Sequence, residues 1–161
     1  MEIKFEVKLN LNTDLVKAIF KDNTRVSVGI LEPQASEPHI GKKGQDVFPT
    51  ATLGWLHEFG EQGQKERSFI RWPLQDDFNT EWHRFYTDAA LLNILLTNKS
   101  KFWDIIGKAA LRAIDNSFKQ GGSTKRKWPE LNPRYALTKT SDFILVETAK
   151  LRRSITYQVK R

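Results

Sequence analysis

The sequence predicts an α+β fold in which a small, mostly antiparallel sheet from both chain ends packs against two long helices, with long mobile loops. Hydrophobic and polar residues alternate over 3–9 and again over 155–160, which predicts half-buried strands. Apolar residues recur at three-and-four spacing over 75–96 and 101–119, which predicts two amphipathic helices. The length of 161 residues fits a single domain.

The elements of the first half follow from local signals. Asn12-Thr13-Asp14 offers a side-chain cap, so a short helix is expected up to Phe20. The alternation over 26–30 predicts a second strand, and the sequence leaves open how this strand pairs. Residues 32–49 show no periodicity and form a predicted loop that is functional or disordered. Thr50 is the expected cap of a helix that stops at Gly60.

The second half begins with a predicted extended segment over 68–74, because Pro73 disfavours helical geometry at the preceding residue. The two long helices follow, and Gly121-Gly122 ends the second of them. A basic, glycine-containing mobile loop over 119–128 comes next. The last third holds a Trp-Pro turn, a short apolar run and a short basic helix that leads into the final strand.

Composition restricts the function classes. The chain has 26 Lys and Arg against 19 Asp and Glu, a net charge of +7, and the basic excess lies mainly after residue 98. One end of the folded protein is therefore expected to be positively charged, and phosphate groups or an acidic protein are candidates for binding there. The absence of cysteine fits a reducing cytoplasm. No apolar run is long enough to span a bilayer and no signal-peptide core is present, so no membrane partner is expected.

Residues that could carry catalysis do not form a recognisable set. His57-Glu58 resembles part of a zinc-protease helix, but the second histidine is missing. His83 has no third group at a suitable spacing to make it a general base. Asp76-Asp77 are better explained as acids in the first turn of the long helix, where they complement its dipole. Gly41-Lys42-Lys43-Gly44 lacks the spacing of a phosphate loop. We predict no catalytic, cofactor or metal residues, no enzyme activity and no small-molecule substrate.

The loop over 119–128 is the best candidate for contact with nucleic acid or with another subunit. It combines cations, glycines and a tryptophan that could stack on a base, namely Lys119, Lys125, Arg126, Lys127 and Trp128. The alternative is a solvated loop whose Trp128 packs back on the core. The same choice between interface anchor and core packing applies to Trp55, Trp72, Trp82, Trp103 and Trp128.

Six short motifs in order give the chain a family resemblance. A strand ending in Gly29-Ile30 precedes Leu56-His57-Glu58-Phe59-Gly60, Arg67-Ser68-Phe69-Ile70-Arg71-Trp72-Pro73, the helix with Ile106-Gly107 and Ala110, Trp128-Pro129-Glu130-Leu131 and a C-terminal block over 144–155. This order resembles the tail-completion and minor-tail (virion morphogenesis) proteins of long-tailed bacteriophages over roughly residues 24–160. The departures are Ser68, where proline is common, and Ala149, where glycine is usual.

The resemblance implies a structural virion protein at the head-tail junction, assembled in the host cytoplasm. It implies a ring, most simply hexameric, around the DNA channel, with tail-tube and head-connector proteins as neighbours and non-specific contact with phage DNA. Lys42, Lys43, Arg152 and Arg153 are the expected subunit-interface cations. A tail terminator that stops tube polymerisation and a basic nucleic-acid-binding module are the alternatives.

Overall fold

A computed structural model describes residues 13–20, 23–39, 48–61, 63–133, 137 and 150–160. Seven helices and four strands occur in these ranges: α1 Thr13–Phe20, β1 Arg25–Ile30, β2 Pro38–His39, β3 Phe48–Pro49, α2 Thr50–Phe59, α3 Arg71–Asp76, α4 Phe78–His83, α5 Asp88–Thr97, α6 Lys99–Gln120, α7 Lys150–Arg153 and β4 Ile155–Lys160. The strand expected over 3–9 lies outside the described residues.

The main sheet joins the two ends of the chain. β1 pairs antiparallel with β4, with Arg25 opposite Lys160 and Ile30 opposite Ile155. Val26, Val28, Ile30 and Val159 pack against the buried core. β2 and β3 form a separate two-stranded antiparallel pair. The predicted α+β class, with an antiparallel sheet drawn from both chain ends, is confirmed.

Helix α6 is the centre of the structure and confirms the second predicted long helix. It packs against α3, α4, α5 and both strands of the main sheet. The Asn98 side chain accepts the Lys101 N–H at 3.0 Å and caps its start, and Gly121 ends it in the left-handed region with φ 70°. Although α6 has 22 residues, no helix in the described ranges is both long and apolar enough to cross a membrane.

Aromatic rings connect α6 to the rest of the core. Phe102 contacts Trp82 of α4 at 5.6 Å between ring centroids, and Phe118 contacts Phe69 at 5.4 Å. Phe118 also contacts Trp128 at 5.6 Å. These residues are all 5% exposed or less, so the core extends along the buried side of the helix.

A close approach between Gly107 of α6 and Tyr157 of β4 sets the distance between helix and sheet. A Cβ atom at Gly107 would lie 2.1 Å from Tyr157 Cδ2. The Tyr157 hydroxyl donates to Asp104, which fixes the ring over the glycine. The sheet can therefore lie this close to α6 only because position 107 has no side chain.

Gly107→Ala is expected to lower the free energy of unfolding by about 1–3 kcal/mol, because overpacking forces the ring or the strand to move. In most helix interiors the same change stabilises by about 0.5–1 kcal/mol. Urea unfolding of Gly107→Ala, Tyr157→Ala and the double variant measures the effect. The loss from Gly107→Ala should vanish in the Tyr157→Ala background, and a Gly107→Ala variant more stable than wild type would contradict the close packing.

The first predicted long helix, over 75–96, is wrong. The chain forms three shorter helices, α3, α4 and α5, with Asp77 between the first two and residues 84–87 between the last two. Thr87 adopts an extended conformation and its side chain accepts the Ala90 N–H at 3.3 Å, so α5 starts anew. The restart shifts the helical phase, and the predicted apolar positions Phe85 and Leu96 are 62% and 69% exposed.

Two further local expectations differ from the structure. Trp72 and Pro73 belong to α3 and not to an extended segment, because proline in the first turn of a helix removes no needed donor. Thr50 is the first residue of α2, and its hydroxyl donates to the Glu37 carbonyl at 2.8 Å without capping the helix. The predicted stop at Gly60 is confirmed, with φ 71°.

Candidate interaction surfaces

A buried carboxylate on α2 closes the start of α3. Glu58 is 1% exposed and accepts hydrogen bonds from Ser68 Oγ at 2.6 Å and from the N–H groups of Phe69, Ile70 and Arg71 at 2.9, 3.0 and 2.9 Å. The N-cap position of α3 supplies no side-chain bond of its own. The unpaired donors at the start of α3 are therefore satisfied from a different helix.

Burial raises the pKa of the Glu58 carboxyl, and the four hydrogen bonds oppose that rise without cancelling it. Two donors point at each carboxylate oxygen. A group that meets only donors suits the ionised form and leaves no lone pair turned toward a substrate. The position of Glu58 thus supports a structural role.

Two more contacts join a third segment of the chain to this carboxylate. Trp128 Nε1 donates to the Ser68 carbonyl at 3.0 Å. Arg67, which is 5% exposed, donates to the carbonyls of Pro129 and Glu130 at 3.2 Å each. We call Glu58, residues 67–71 and residues 128–130 the motif core. Three of the motif segments that carry the family resemblance therefore lie against one another.

Ser68, one of the two departures noted in the sequence motifs, takes part in the hydrogen bonding around Glu58. Its hydroxyl donates to Glu58 and accepts the Trp72 N–H at 3.0 Å. A proline at this position would have no hydroxyl for either bond. In this chain, Ser68 is therefore part of the hydrogen bonding that holds α3. Ala149, the other departure, lies outside the described residues.

The segment over 119–128, expected to be a mobile loop, is a hydrogen-bonded turn. Ser123 N–H donates to the Arg126 carbonyl at 2.8 Å, and Gly122 and Lys127 form an antiparallel bridge. Arg126 donates to both carboxylate oxygens of Asp76 at 2.8 Å, and the Thr124 N–H donates to Asp77 at 3.2 Å. The turn is thereby fixed to the end of α3 and to Asp77, just before the start of α4.

The two aspartates were expected to be first-turn acids of a long helix, and the structure corrects this. Asp76 is the last residue of α3 and Asp77 separates α3 from α4. Both side chains reach the same turn even though the residues are adjacent, because α3 ends there and the backbone changes direction. Their role is to bind the turn.

Asp76 provides a pH-dependent contribution to stability. Burial raises the pKa of its carboxyl, but the hydrogen bonds from Arg126 and Ser123 outweigh burial and hold it below the ordinary value of 3.8. A depressed folded-state pKa means that the stabilisation is fully present above pH 3.8 and is lost as the pH falls through the lower folded value.

We expect Asp76→Asn to lower the free energy of unfolding by about 2 kcal/mol at pH 7, as for hydrogen bonds to a charged group. The difference from wild type should shrink below pH 3.8. Urea unfolding between pH 7 and pH 3 measures it, with Glu130→Gln, at an exposed carboxylate, as the control. A difference that stays constant across the series would mean that the charge of Asp76 does not hold the turn.

Most of the predicted cations of the turn have partners within the chain. Lys119 pairs with Asp115 at 2.7 Å, Arg126 binds Asp76, and Lys127 Nζ donates to the Gln120 carbonyl at 3.0 Å. Lys125 is exposed and makes no hydrogen bond or ion pair with a described residue. The charge available for a phosphate backbone is therefore smaller than the sequence suggests.

The tryptophans mostly follow the core-packing alternative. Trp128 is 5% exposed, so its ring cannot stack on a base in this conformation. Trp82 and Trp103 are 1% and 8% exposed. Trp55 and Trp72 are half-buried, and the Arg126 guanidinium lies 5.2 Å from the Trp72 ring centroid. None of the five is a fully exposed interface anchor.

The predicted subunit-interface cations divide into three groups. Arg152 donates to Asp115 at 2.6 Å and is engaged within the chain. Arg153 is exposed and has no ion pair with a described residue. Lys42 and Lys43, together with the rest of Gly41–Gly44, lie outside the described residues. Only Arg153 is thus placed as a cation that a neighbour could meet.

The described contacts of His83, and of Glu58 beside His57, are with groups of the chain itself. His83 contacts Asp88 at 2.7 Å and the Asn79 carbonyl at 2.9 Å on the protein surface. Glu58, which follows His57, points into the motif core. Within the described ranges, no group of three or more His, Cys, Asp or Glu residues is placed to hold a metal ion.

Phe85, an aromatic residue that the sequence assigned to the apolar side of the first long helix, is exposed between α4 and α5. The Phe85 ring is 62% exposed, with the guanidinium carbons of Arg84 and Arg112 at 5.6 and 5.2 Å from its centroid. Both arginines also reach the buried Glu81 carboxylate at 3.4 Å. We call Arg84, Phe85 and Arg112 the basic patch. Its sequence signal was the Thr87-Asp88 helix start, which places residue 85 in a turn.

A groove of about 250 Å³ lies between α4 and the end of α6. Its lining residues are Asp77, Thr80, Glu81, Asn116, Lys119, Gln120 and Thr124. The two acids that line it are already bonded, Asp77 to Thr124 and Glu81 to Asn116. The groove therefore offers no free charged group for a ligand.

No protein-family model, no curated protein and no solved structure matches this chain. Its function has to be inferred from its own residues and their contacts.

Proposed function

We propose that this chain is a structural virion protein of the head-tail junction of a long-tailed bacteriophage. In this role it forms a ring around the DNA channel, most simply of six subunits, completes the tail and enables the head to attach. The observation that supports the proposal best is the motif core. Motif segments that resemble the tail-completion and minor-tail proteins are joined through the buried Glu58 carboxylate, Arg67 and Trp128.

The motif core suits a structural protein whose subunit has to stay rigid within an assembly. Glu58, Arg67 and Trp128 are each at most 5% exposed, so these groups stabilise the subunit and do not contact a substrate. Helix α6, at 1.5 Å per residue, is a rigid element about 33 Å long. A ring also needs two different adhesive faces on each subunit. The proposed neighbours are other copies of the chain, tail-tube proteins and head-connector proteins in the virion.

A tail terminator that caps the tube and stops its growth is the second candidate. The same motif order and the same rigid subunit support it, because a terminator also binds the end of a tube as a ring. The two roles differ in what the phage loses without the protein. They can therefore be separated by the length of the tails.

Electron microscopy of particles from a phage that lacks this product tests the proposal. We expect tails of normal length that fail to join heads, and restored particles when the wild-type protein is supplied. Tails of uncontrolled length would support the terminator role instead. Normal infectious particles would contradict both roles.

The nucleic-acid-binding module has less support. Trp128 is buried, and Lys119, Arg126 and Lys127 have partners within the chain. Contact with phage DNA inside a channel would need only non-specific charge, which the exposed Lys125 could supply. We therefore propose assembly of the virion as the main role of the protein and DNA contact as a secondary one.

A further inference from the structure

Helix α6 turns one narrow, basic side to solvent. From residue 101 to 119, its fully exposed residues are three lysines, Lys101, Lys108 and Lys119. Arg112, which is half-buried, lies on the same side. At 3.6 residues per turn, these four cations fall within about 20° of one line along the helix. We call Lys101, Lys108, Arg112 and Lys119 the cation ridge.

The carboxylates beside the cation ridge are turned toward β4 and α7. Asp104 and Asp115 lie about 40–60° to one side of the line of cations. Asp104 accepts the Tyr157 hydroxyl, and Asp115 accepts Arg152 Nε at 2.6 Å. The lysines paired with these two aspartates, at 2.6 and 2.7 Å, have side chains that are each 59% exposed, against 41% and 38% for the aspartates. The ammonium groups are therefore more accessible than the carboxylates that they pair with.

Cations exceed acids along this side of the protein. Both arginines of the basic patch share the buried Glu81 carboxylate. Arg152 and Lys119 share Asp115, and the side chain of Lys101 makes no ion pair with a described residue. With the remaining lysine–aspartate pair of the ridge included, six cations face three carboxylates. Three positive charges are left in excess, a large part of the net charge of +7 of the chain.

The spacing of the cation ridge suits a linear polyanion. At 1.5 Å per residue, its cations extend over about 27 Å. A DNA duplex of that length carries about 16 phosphates. A small anion needs donors that converge on one point, whereas these cations follow a straight helix. Lysine is depleted at protein–protein interfaces, but it binds phosphate well as a point charge. The ridge therefore fits the phosphate backbone of DNA better than a small anion or a protein surface.

We propose that the cation ridge contacts the phosphate backbone of duplex DNA. The inference rests on the proposed function, in which DNA passes through the ring, and names the surface of the subunit that faces it. It assigns the contact to the side of α6 and not to the turn, where Arg126 and Lys127 are bonded within the chain. Phosphate contacts carry no sequence information, so DNA of any sequence can pass.

Fluorescence anisotropy with a fluorescein-labelled DNA duplex of arbitrary sequence tests the ridge with two triple variants. The ridge variant neutralises its three exposed lysines, Lys101→Gln/Lys108→Gln/Lys119→Gln. The matched control neutralises three exposed lysines outside it, Lys17→Gln/Lys65→Gln/Lys125→Gln. Because Lys125 belongs to the turn, the control also measures what the turn contributes. Thermal unfolding checks that both variants remain folded.

Wild type should bind the duplex with an affinity that falls steeply between about 50 and about 200 mM salt, and the control should bind almost as tightly. The ridge variant loses about three phosphate contacts. It should bind about tenfold or more weakly at low salt, and the slope of log affinity against log salt concentration should shrink by about 2–3.

Three results would overturn the assignment of the ridge to DNA. They are a wild-type protein that does not bind the duplex, a ridge variant that binds as wild type does, and a control that loses as much affinity as the ridge variant. Polyglutamate is the probe for an acidic protein partner. If wild type bound it as tightly as DNA, the partner would be an acidic protein and the proposed DNA contact would be wrong.

Sedimentation velocity of the same proteins separates this inference from the proposed function. A protein that forms closed rings but fails the DNA test would lose the ridge assignment and keep the function. A protein that binds DNA through the ridge but stays monomeric, alone and with tail tubes, would keep the ridge and contradict the function.

Discussion

Replacing Glu58 with alanine should lower the free energy of unfolding by about 4 kcal/mol or more. The change leaves the Ser68 hydroxyl and three backbone N–H groups without their acceptor. A buried donor without a partner costs about 1–3 kcal/mol, and water can reach some of the four in the cavity that forms. Urea unfolding followed by circular dichroism measures the loss.

Two matched variants show whether the loss comes from the carboxylate. Glu58→Gln keeps the size of the side chain but turns an amide N–H₂ toward two donors, so it should also destabilise by about 2 kcal/mol or more. Glu130→Ala, at an exposed carboxylate, should stay within about 0.5 kcal/mol of wild type. A Glu58→Ala variant with a loss below about 1 kcal/mol would show that α3 does not depend on this carboxylate.

Replacing Trp128 with alanine should cost about 3–5 kcal/mol, the range for large aromatic residues in a core. The ring is 5% exposed and packs against Phe118, and its N–H is bonded to the Ser68 carbonyl. Trp128→Phe keeps most of the packing and loses the hydrogen bond, so it should cost less than half as much.

The Trp128 variants also separate the structural role from base stacking. If Trp128→Ala stayed as stable as wild type and lost binding to duplex DNA, Trp128 would be a nucleic-acid contact and the buried position would be wrong. Lys125→Ala/Lys127→Ala is the companion variant, because both side chains are exposed. Non-specific binding that weakens with each lysine removed and falls steeply with salt would favour the binding-module alternative.

The parts of the fold that were predicted from sequence have strong local signals. Helix α6 carries apolar residues on one side over five turns and ends at Gly121, and α2 ends at Gly60. β1 and β4 alternate in polarity, and they pair with each other although about 125 residues separate them in the sequence. Periodicity and left-handed glycine positions are properties of a few neighbouring residues, so one sequence suffices to find them.

Residues 71–97 were mispredicted because their structure depends on distant groups. α3 starts where it does because Glu58, thirteen residues before Arg71, supplies its cap. Asp77 interrupts the helix beside a turn that comes 47 residues later in the chain. The break over 84–87 has a local cause, the Thr87 cap, but apolar spacing alone continued one helix through it and assigned Phe85 to the apolar side.

The candidate interface was only partly accessible from sequence for the same reason. The sequence identifies cations but not their partners, so Arg126 and Arg152 were counted as free although Asp76 and Asp115 bind them. It identifies Trp128 but not its burial. Conversely, the sequence does not show that the Phe85 and Phe48 side chains are exposed.

Sedimentation velocity of the wild-type protein, alone and with purified tail tubes, tests the central claim most directly. Each subunit has a mass of 18.7 kDa. A ring-forming junction protein should convert, as concentration rises, to one closed species whose mass is a fixed multiple of the subunit, most simply six. A protein that remains monomeric at every concentration, both alone and with tubes, would contradict it.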